Sequence, residues 1–381
     1  REGVGQPRWS PDGTLLGFLS RPEDGEELQV FVLPMAGGEA RQVTRGEEGV
    51  VAFQWSADGD ALFYRMRDAA EKPPEGEERH NRSFEVGDNS YLTRAAPRPI
   101  HLWRVALEGG EPERLTDGAE SLEGIRVSPD GRTLALAVNP SAHTGAGILT
   151  RIRFLDLQTG ATRALGVEPP VDLREFSPDG RWLAFGRPRG PEPGFHPDGI
   201  FLAATEGGEI RDVTAGIDRD LGGVEWLPDG RSMLVTGTDR THNVMWHVPL
   251  DGAPERVTLG DVHVRLKEAT ADGRLVIVGA EPHRPPELYL TQAWPAGRSA
   301  GSRRSAGTAP TASARTGSSS IRRITWRGAD TPLSWTSTAA PWAPPPRRGA
   351  SYIRPWPPRD GWSSAPTTGA ATPKARLSRA P

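Results

Sequence analysis

The pentapeptide Gly297-Arg298-Ser299-Ala300-Gly301 has the spacing of a nucleophile elbow, which exposes a serine at a tight turn between a strand and a helix. Such a serine attacks a carbonyl only when a histidine takes its proton, an acid orients that histidine, and N–H donors hold the oxyanion. The flanks of Ser299 do not support that use. No apolar strand leads in, no helical period leads out, and Ser, Gly and Ala are abundant in this part of the chain. The eight histidines (His80, His101, His143, His196, His242, His247, His263 and His283) are scattered without the spacing of a metal site. His242 and His247 lie five residues apart in a strand-like run, so they share no helical face. Cysteine is absent, which removes disulfides and thiolate ligands. We assign no catalytic, cofactor-binding or metal-ligating residue, and expect no cofactor.

What the chain repeats is a turn. Ser10-Pro11-Asp12-Gly13, Ser128-Pro129-Asp130-Gly131 and Ser177-Pro178-Asp179-Gly180 are full copies, and Ser56-Ala57-Asp58-Gly59, Leu227-Pro228-Asp229-Gly230 and Ala271-Asp272-Gly273 are variants. Pro presets φ, Asp bonds its own backbone, and Gly takes the left-handed conformation that closes a hairpin. β-rich runs lead out of each copy, such as Leu62-Phe63-Tyr64, Leu134 to Val138 and Trp182 to Phe185. A second phrase follows, as in Phe31-Val32-Leu33, Gly37-Gly38 and Val43-Thr44, or Leu102 to Val105, Gly109-Gly110 and Leu115-Thr116. Each repeat therefore supplies four strands. The turn glycines at 13, 59, 131, 180, 230 and 273 are 46, 72, 49, 50 and 43 residues apart, the period of propeller blades rather than of helical solenoids. The expected fold is all-β, a propeller over residues 1–292 with six visible blades, the sixth incomplete.

The long interval holds an insertion, residues 68–100, too polar and Pro-rich to add a strand before Tyr91-Leu92. We expect a long loop there and assign it no ligand. No run is apolar enough to span a membrane and no secretory leader opens the chain, so the cytoplasm is the expected compartment. The chain opens on Arg rather than Met and enters a hairpin almost at once, from which we expect further sequence upstream.

Net charge divides the chain. From Ala293 onward thirteen Arg and one Lys face only Asp330 and Asp360, a net of +12, which leaves −15 on residues 1–292 of the chain's −3. Residues 293–381 hold six of the twelve Trp but no Glu, Val or Phe. A basic, Trp-bearing tail suggests a nucleic-acid-binding arm, yet codon arithmetic suggests another origin. Arg outnumbers Lys 43 to 3, the mark of a GC-rich gene, whose out-of-frame translation yields Arg, Pro, Ala, Ser, Gly and Trp. Take each new codon as the third base of one residue plus the first two of the next. Residues Pro332 to Pro344 then permit Pro-Leu-Val-Asp-Val-His-Gly-Gly-Pro-Val-Gly-Ala, with the Asp forced by Trp335-Thr336. The same shift on Pro355 to Thr372 permits Leu-Ala-Ala-x-Gly-Trp-Leu-Val-Phe-x-Pro-Asn-Tyr-Arg-Gly-Ser-Asp. We expect a tail without a packed core, disordered, and out of frame.

Both shifted phrases resemble the opening of the α/β-hydrolase domain of prolyl oligopeptidase-family serine peptidases, where His-Gly-Gly-Pro and Asn-Tyr-Arg-Gly-Ser loops lie near the oxyanion site. The in-frame repeats resemble the amino-terminal gating propeller of that family over residues 1 to about 290. Tyr91 to Thr116, with His101-Leu102-Trp103 and Gly109-Gly110-Glu111, looks most like the acylaminoacyl-peptidase branch. TolB-like propellers share the repeats, which keeps a non-catalytic interaction propeller as the alternative.

The resemblance implies seven blades in the intact family, a peptide substrate, and a catalytic triad on an α/β-hydrolase domain that residues 1–381 do not supply in frame. It implies an inactive chain as written, with no nucleic-acid or membrane partner. Acidic pairs hold a peptide amino terminus in some relatives, and Glu26-Glu27 and Glu77-Glu78 are such pairs here. The simpler account is surface acids on a region of charge −15, favouring basic substrates at the channel mouth. Apolar blade surface is expected where the hydrolase domain would dock.

Overall fold

The turn phrase folds as a closed hydrogen-bonded unit. Ser10 Oγ donates to Asp12 Oδ1 at 2.5 Å and accepts from Leu15 N at 2.9 Å, while Asp12 Oδ1 accepts from Thr14 N at 3.0 Å. Gly13 sits at φ +72°, where a side chain would be strained, and its N–H donates to Ser10 O at 2.9 Å. The serine–aspartate bond recurs at Ser56, Ser128 and Ser177, and Thr270 makes it with Asp272. Leu227 has no hydroxyl to contribute. Its turn closes without a hydroxyl, through Leu227 N to Ser232 O at 2.9 Å and Arg231 N to Asp229 Oδ1 at 2.9 Å, and the Leu227 side chain is buried between blades instead.

The computed structural model describes residues 4–70, 76, 98–190, 196–257, 263–270, 272–280, 285–291 and 321–323. Each turn joins the first two strands of an antiparallel sheet. In blade 1 these are β1 (Gly5–Trp9) and β2 (Leu15–Ser20), followed by β3 (Gln29–Pro34) and β4 (Arg41–Gln42), hydrogen-bonded in chain order. Five further four-stranded sheets repeat that order, giving six propeller blades, and no α-helix occurs among the described residues. The first strands open with Val50–Trp55, Ser121–Val127, Asp172–Phe176, Leu221–Trp226 and His263–Ala269 in blades 2 to 6. Blade 6 takes its fourth strand from Ile321–Arg323, which pairs with Glu287–Thr291, beyond residue 292 where the repeats stop being legible. The rest of the expected tail lies outside the described residues, as does the insertion apart from its base and Gly76.

The core is a set of interfaces between successive blades. Trp55 and Phe53 of blade 2 pack with Leu19, Val30 and Val32 of blade 1, and Trp226 packs with Ala184, Ile200 and Leu202 of blade 4. Gly17 makes room for the first of these, since a Cβ there would stand 2.8 Å from Phe53 Cε2. Among the described residues no such cluster joins blade 6 to blade 1. Trp9, which occupies in blade 1 the place of Trp55 (7% exposed) in blade 2, is 55% exposed.

Candidate functional site

The first strands of blades 2 to 6 lie against one another in succession, so their polar residues gather around the propeller axis. Each pairs with its second strand through a register irregularity, as does that of blade 1. Such a bulge bends the strand and re-aims side chains. Near the turn, strand alternation sends one residue backward and its predecessor forward. Trp55 and Trp226 go backward into the preceding blade. Their predecessors reach the next: Gln54 Nε2 donates to Ile125 O at 2.9 Å, and Glu225 Oε1 accepts from Ala269 N at 3.0 Å. Between them Arg126 Nε donates to Glu175 Oε1 at 2.6 Å. The equivalent residues of blades 1 to 6 are Arg8, Gln54, Arg126, Glu175, Glu225 and Glu268.

This axial series is divided by charge. Burial pulls the Arg8 guanidinium down from its ordinary pKa, Arg126 adds to that, and Glu175 partly offsets it. Arg65, on the second strand of blade 2 (Ala61–Arg67), is also lowered, first by burial, then against Glu123, with Arg126 adding to the lowering. Its guanidinium donates to Leu122 O at 2.9 Å, while its Nε is buried without a partner. Across the axis the carboxyl of Glu225 is pushed up to about 7 by burial, against the hydrogen bond from Ala269, with Glu175 and Glu268 repelling it further.

The two ends of the propeller differ. The hairpin turns lie at one end, and the longer connections from second to third strands, such as 21–28 and 140–150, lie at the other. A cavity of about 670 Å³ at the blade 1 connection is lined by Glu23, Asp24, Glu26, Glu27, Arg45 and Glu47. Glu26 and Glu27 thus share one opening with other acids. Another cavity, about 690 Å³, lies between blades 3 and 4, with Arg126, Arg174, Arg187, Glu123 and Asp198 in its wall. At the base of the insertion Asp68 N donates to Pro99 O at 2.9 Å, and the Asp68 carboxylate meets Arg114 at 3.1 Å and His101 Nε2 at 3.3 Å. His101 is 1% exposed, and burial with Arg114 nearby lowers its pKa, which keeps it neutral.

Ser299, the acidic pair Glu77-Glu78, His80 and His283 lie outside the described residues. The described histidines are dispersed, apart from His242 and His263, which meet as stacked rings 4.7 Å apart between blades 5 and 6. Among the described residues no group of three or more His, Asp or Glu is placed to hold a metal ion, and no helix is long and apolar enough to cross a membrane.

No protein-family profile matches the chain. Over 309 residues, 74% of this chain, it is 26% identical to the uncharacterized peptidase YuxL of Bacillus subtilis. Over 200 residues, 47% of this chain, it is 28% identical to dipeptidyl-peptidase 5 of Porphyromonas endodontalis. These alignments cover 47% and 29% of the relatives, so the chain spans half of their length or less. Among solved structures it is similar to an acylaminoacyl peptidase in complex with Z-Gly-Gly-Phe-chloromethyl ketone, with a TM-score of 0.56 at 17% identity over 76% of this chain and 44% of that one. It is similar in fold to an oligogalacturonate lyase from Vibrio parahaemolyticus, with a TM-score of 0.54 at 17% identity over 76% of this chain and 74% of that one. The fold is thus shared across chemistries, while these two sequence relatives carry peptidase names. The propeller is peptidase-like.

Proposed function

We propose, from the premise that this is a peptidase-like propeller, that the chain is the substrate-gating part of a prolyl oligopeptidase-family serine peptidase of the acylaminoacyl-peptidase kind. The intact enzyme hydrolyses short or acylated peptides, and the propeller filters what reaches the catalytic domain. The observation that carries this reading is the frame arithmetic. Directly after a peptidase-like propeller, one shift permits two separate stretches, 332–344 and 355–372, to read as phrases that resemble those of an α/β-hydrolase domain, in the family's order. We read residues from about 293 as out-of-frame translation, and the chain as catalytically silent. The pairing of Ile321–Arg323 into blade 6 is compatible with that origin, because these three residues pair through backbone groups that every sequence carries.

The experiment is a hydrolysis assay on the chain as given and on the frame-restored protein, with an acyl-peptide p-nitroanilide. The chain as given should show no turnover above blank, and Ser299→Ala should change nothing. The frame-restored protein should turn over substrate and be stopped by a serine-directed phosphonate. Turnover by the present chain that depends on Ser299 would overturn the reading, since out-of-frame residues have no reason to assemble a nucleophile, a base and an oxyanion site.

A further inference from the structure

We propose that the cavity of about 690 Å³ between blades 3 and 4 binds a zwitterion, a short unblocked peptide whose carboxylate meets Arg187 and whose amino group meets Asp198. The cavity exists because side chains are missing where it lies. Gly124 and Ala137 stand opposite each other on the first two strands of blade 3, and a Cβ on Gly124 would come 3.6 Å from Ala137 Cβ and from Leu173 Cδ2 of blade 4. A Cβ on Gly186 of blade 4 would reach Asp172 Cβ and Arg174 Nη2, each at 3.5 Å. All of these residues line the cavity, so a floor of small and apolar groups opens on a charged wall.

Most charges in that wall are answered within the protein. Arg126 Nε donates to Glu175 Oε1 at 2.6 Å, and Arg174 Nη2 meets Asp172 Oδ2 at 2.7 Å. Glu123 Oε1 accepts from Asn139 Nδ2 at 2.8 Å, and the buried Asn139 is fixed in turn by Thr150 Oγ1, which donates to its Oδ1 at 2.6 Å. Arg187 and the carboxylate of Asp198 are the exceptions. Among the described residues neither has a hydrogen-bond or ion-pair partner, and both residues are half-buried rather than sealed from the cavity. Arg187 Cζ rests over the ring of Phe201, 5.5 Å from its centroid, which holds the guanidinium without neutralising it. Burial pushes the Asp198 carboxyl above its ordinary pKa and Asp220 adds to that, with Arg174 offsetting part. The two charges do not answer each other although their strands adjoin. Arg187 stands opposite Gly199 and Asp198 opposite Pro188, so strand alternation turns the two side chains apart. A partly desolvated charge without a counter-charge is costly, and a ligand that carries both signs relieves both at once. A ligand of one sign would leave the other charge unanswered. Ala137, Val171 and Leu173 suit an aliphatic side chain between the two charged ends. The site does not depend on reading the chain as part of a peptidase.

The test is calorimetric titration of the full chain with alanyl-leucine, with its carboxyl-terminal amide, and with its N-acetyl form. The free dipeptide should bind at least tenfold more tightly than either blocked form. Arg187→Gln should weaken the free dipeptide at least tenfold and remove its advantage over the amide, and Asp198→Asn should do the same against the N-acetyl form. Neither side chain gives up a partner in the protein, so both variants should melt at the parent temperature. Gly124→Val fills the floor without touching either charge and should abolish binding of all three ligands. No binding of the free dipeptide, equal binding of the free dipeptide and either blocked form, or binding that these substitutions leave intact would overturn the site.

Discussion

The indole nitrogen of Trp55 donates to the backbone carbonyl of Arg8 at 3.1 Å, tying the first strand of blade 2 to that of blade 1. Trp226 repeats the bond to Glu175 at 3.4 Å, from blade 5 to blade 4. The blades are thus held by an aromatic ring that buries its body in the preceding sheet and satisfies its N–H there.

Trp55→Ala should destabilise the propeller by about 3–5 kcal/mol, the range for emptying a buried aromatic site. Trp9→Ala, at the equivalent but exposed place, should cost less than about 1 kcal/mol. Urea denaturation followed by fluorescence measures both, and equal costs would mean that Trp9 is buried in solution.

Ser177 is fully buried, accepts from Trp182 N at 2.9 Å and donates to Asp179 Oδ1 at 2.6 Å. Ser177→Ala leaves that N–H without its side-chain acceptor and should cost about 1–3 kcal/mol in the same denaturation experiment. A change within about 0.5 kcal/mol would show that the turn closes without its hydroxyl, as the Leu227 turn does through backbone bonds and the Asp229 carboxylate.

The turn aspartates set the acid limit. Hydrogen bonds from Ser10 and Thr14 hold Asp12 at about 2, and Asp58, Asp130 and Asp272 are lowered first by the hydroxyl of Ser56, Ser128 and Thr270. Their folded values lie below the unfolded one, so their stabilisation is present above the ordinary aspartate range and is lost as pH falls through the lowered values, which for Asp12 is about 2. Asp12→Asn should flatten that part of the stability curve, and an unchanged acid midpoint would contradict the assignment.

Glu225 works in the opposite direction. Its folded pKa of about 7 lies above the ordinary carboxylate value, so its contribution is present below about 4.5 and lost as pH rises through about 7. Stability measured from pH 5 to 8.5 should decline in the parent and stay flatter in Glu225→Gln. Parallel curves would show that Glu225 is solvated rather than pressed between Glu175, Glu268 and Ala269.

The insertion is closed at its base by the Asp68–Pro99 backbone bond and by Arg98 on Glu48 at 2.6 Å. Replacing residues 71–97 with a short Gly-Ser linker should shift stability by no more than about 0.5 kcal/mol. A larger loss, measured by urea denaturation, would mean that the insertion packs on the blades.

Much of the fold was legible because turn chemistry is local. Asp12 and Gly13 announce a hairpin from four consecutive residues, and the spacing of such phrases gives the blade. The axial ring was not legible residue by residue. Arg8, Gln54, Arg126, Glu175, Glu225 and Glu268 look like ordinary surface polar residues until the repeats are superposed, when all six fall one place before the position of Trp55. That register is the signal that could have found them. Arg65 had none, since it reaches the axis from a second strand, and the pairing of Ile321–Arg323 rests on backbone groups rather than side-chain pattern.

The nucleotide sequence of the gene across codons 285 to 381 and beyond tests the frame reading most directly. A one-step shift near codon 293 should open a frame that reads through His-Gly-Gly-Pro and Asn-Tyr-Arg-Gly-Ser and on to a Gly-x-Ser-x-Gly serine between a strand and a helix. A shifted frame that meets a stop before those phrases, or codons that do not encode them, would contradict it and favour a propeller that serves protein–protein interaction.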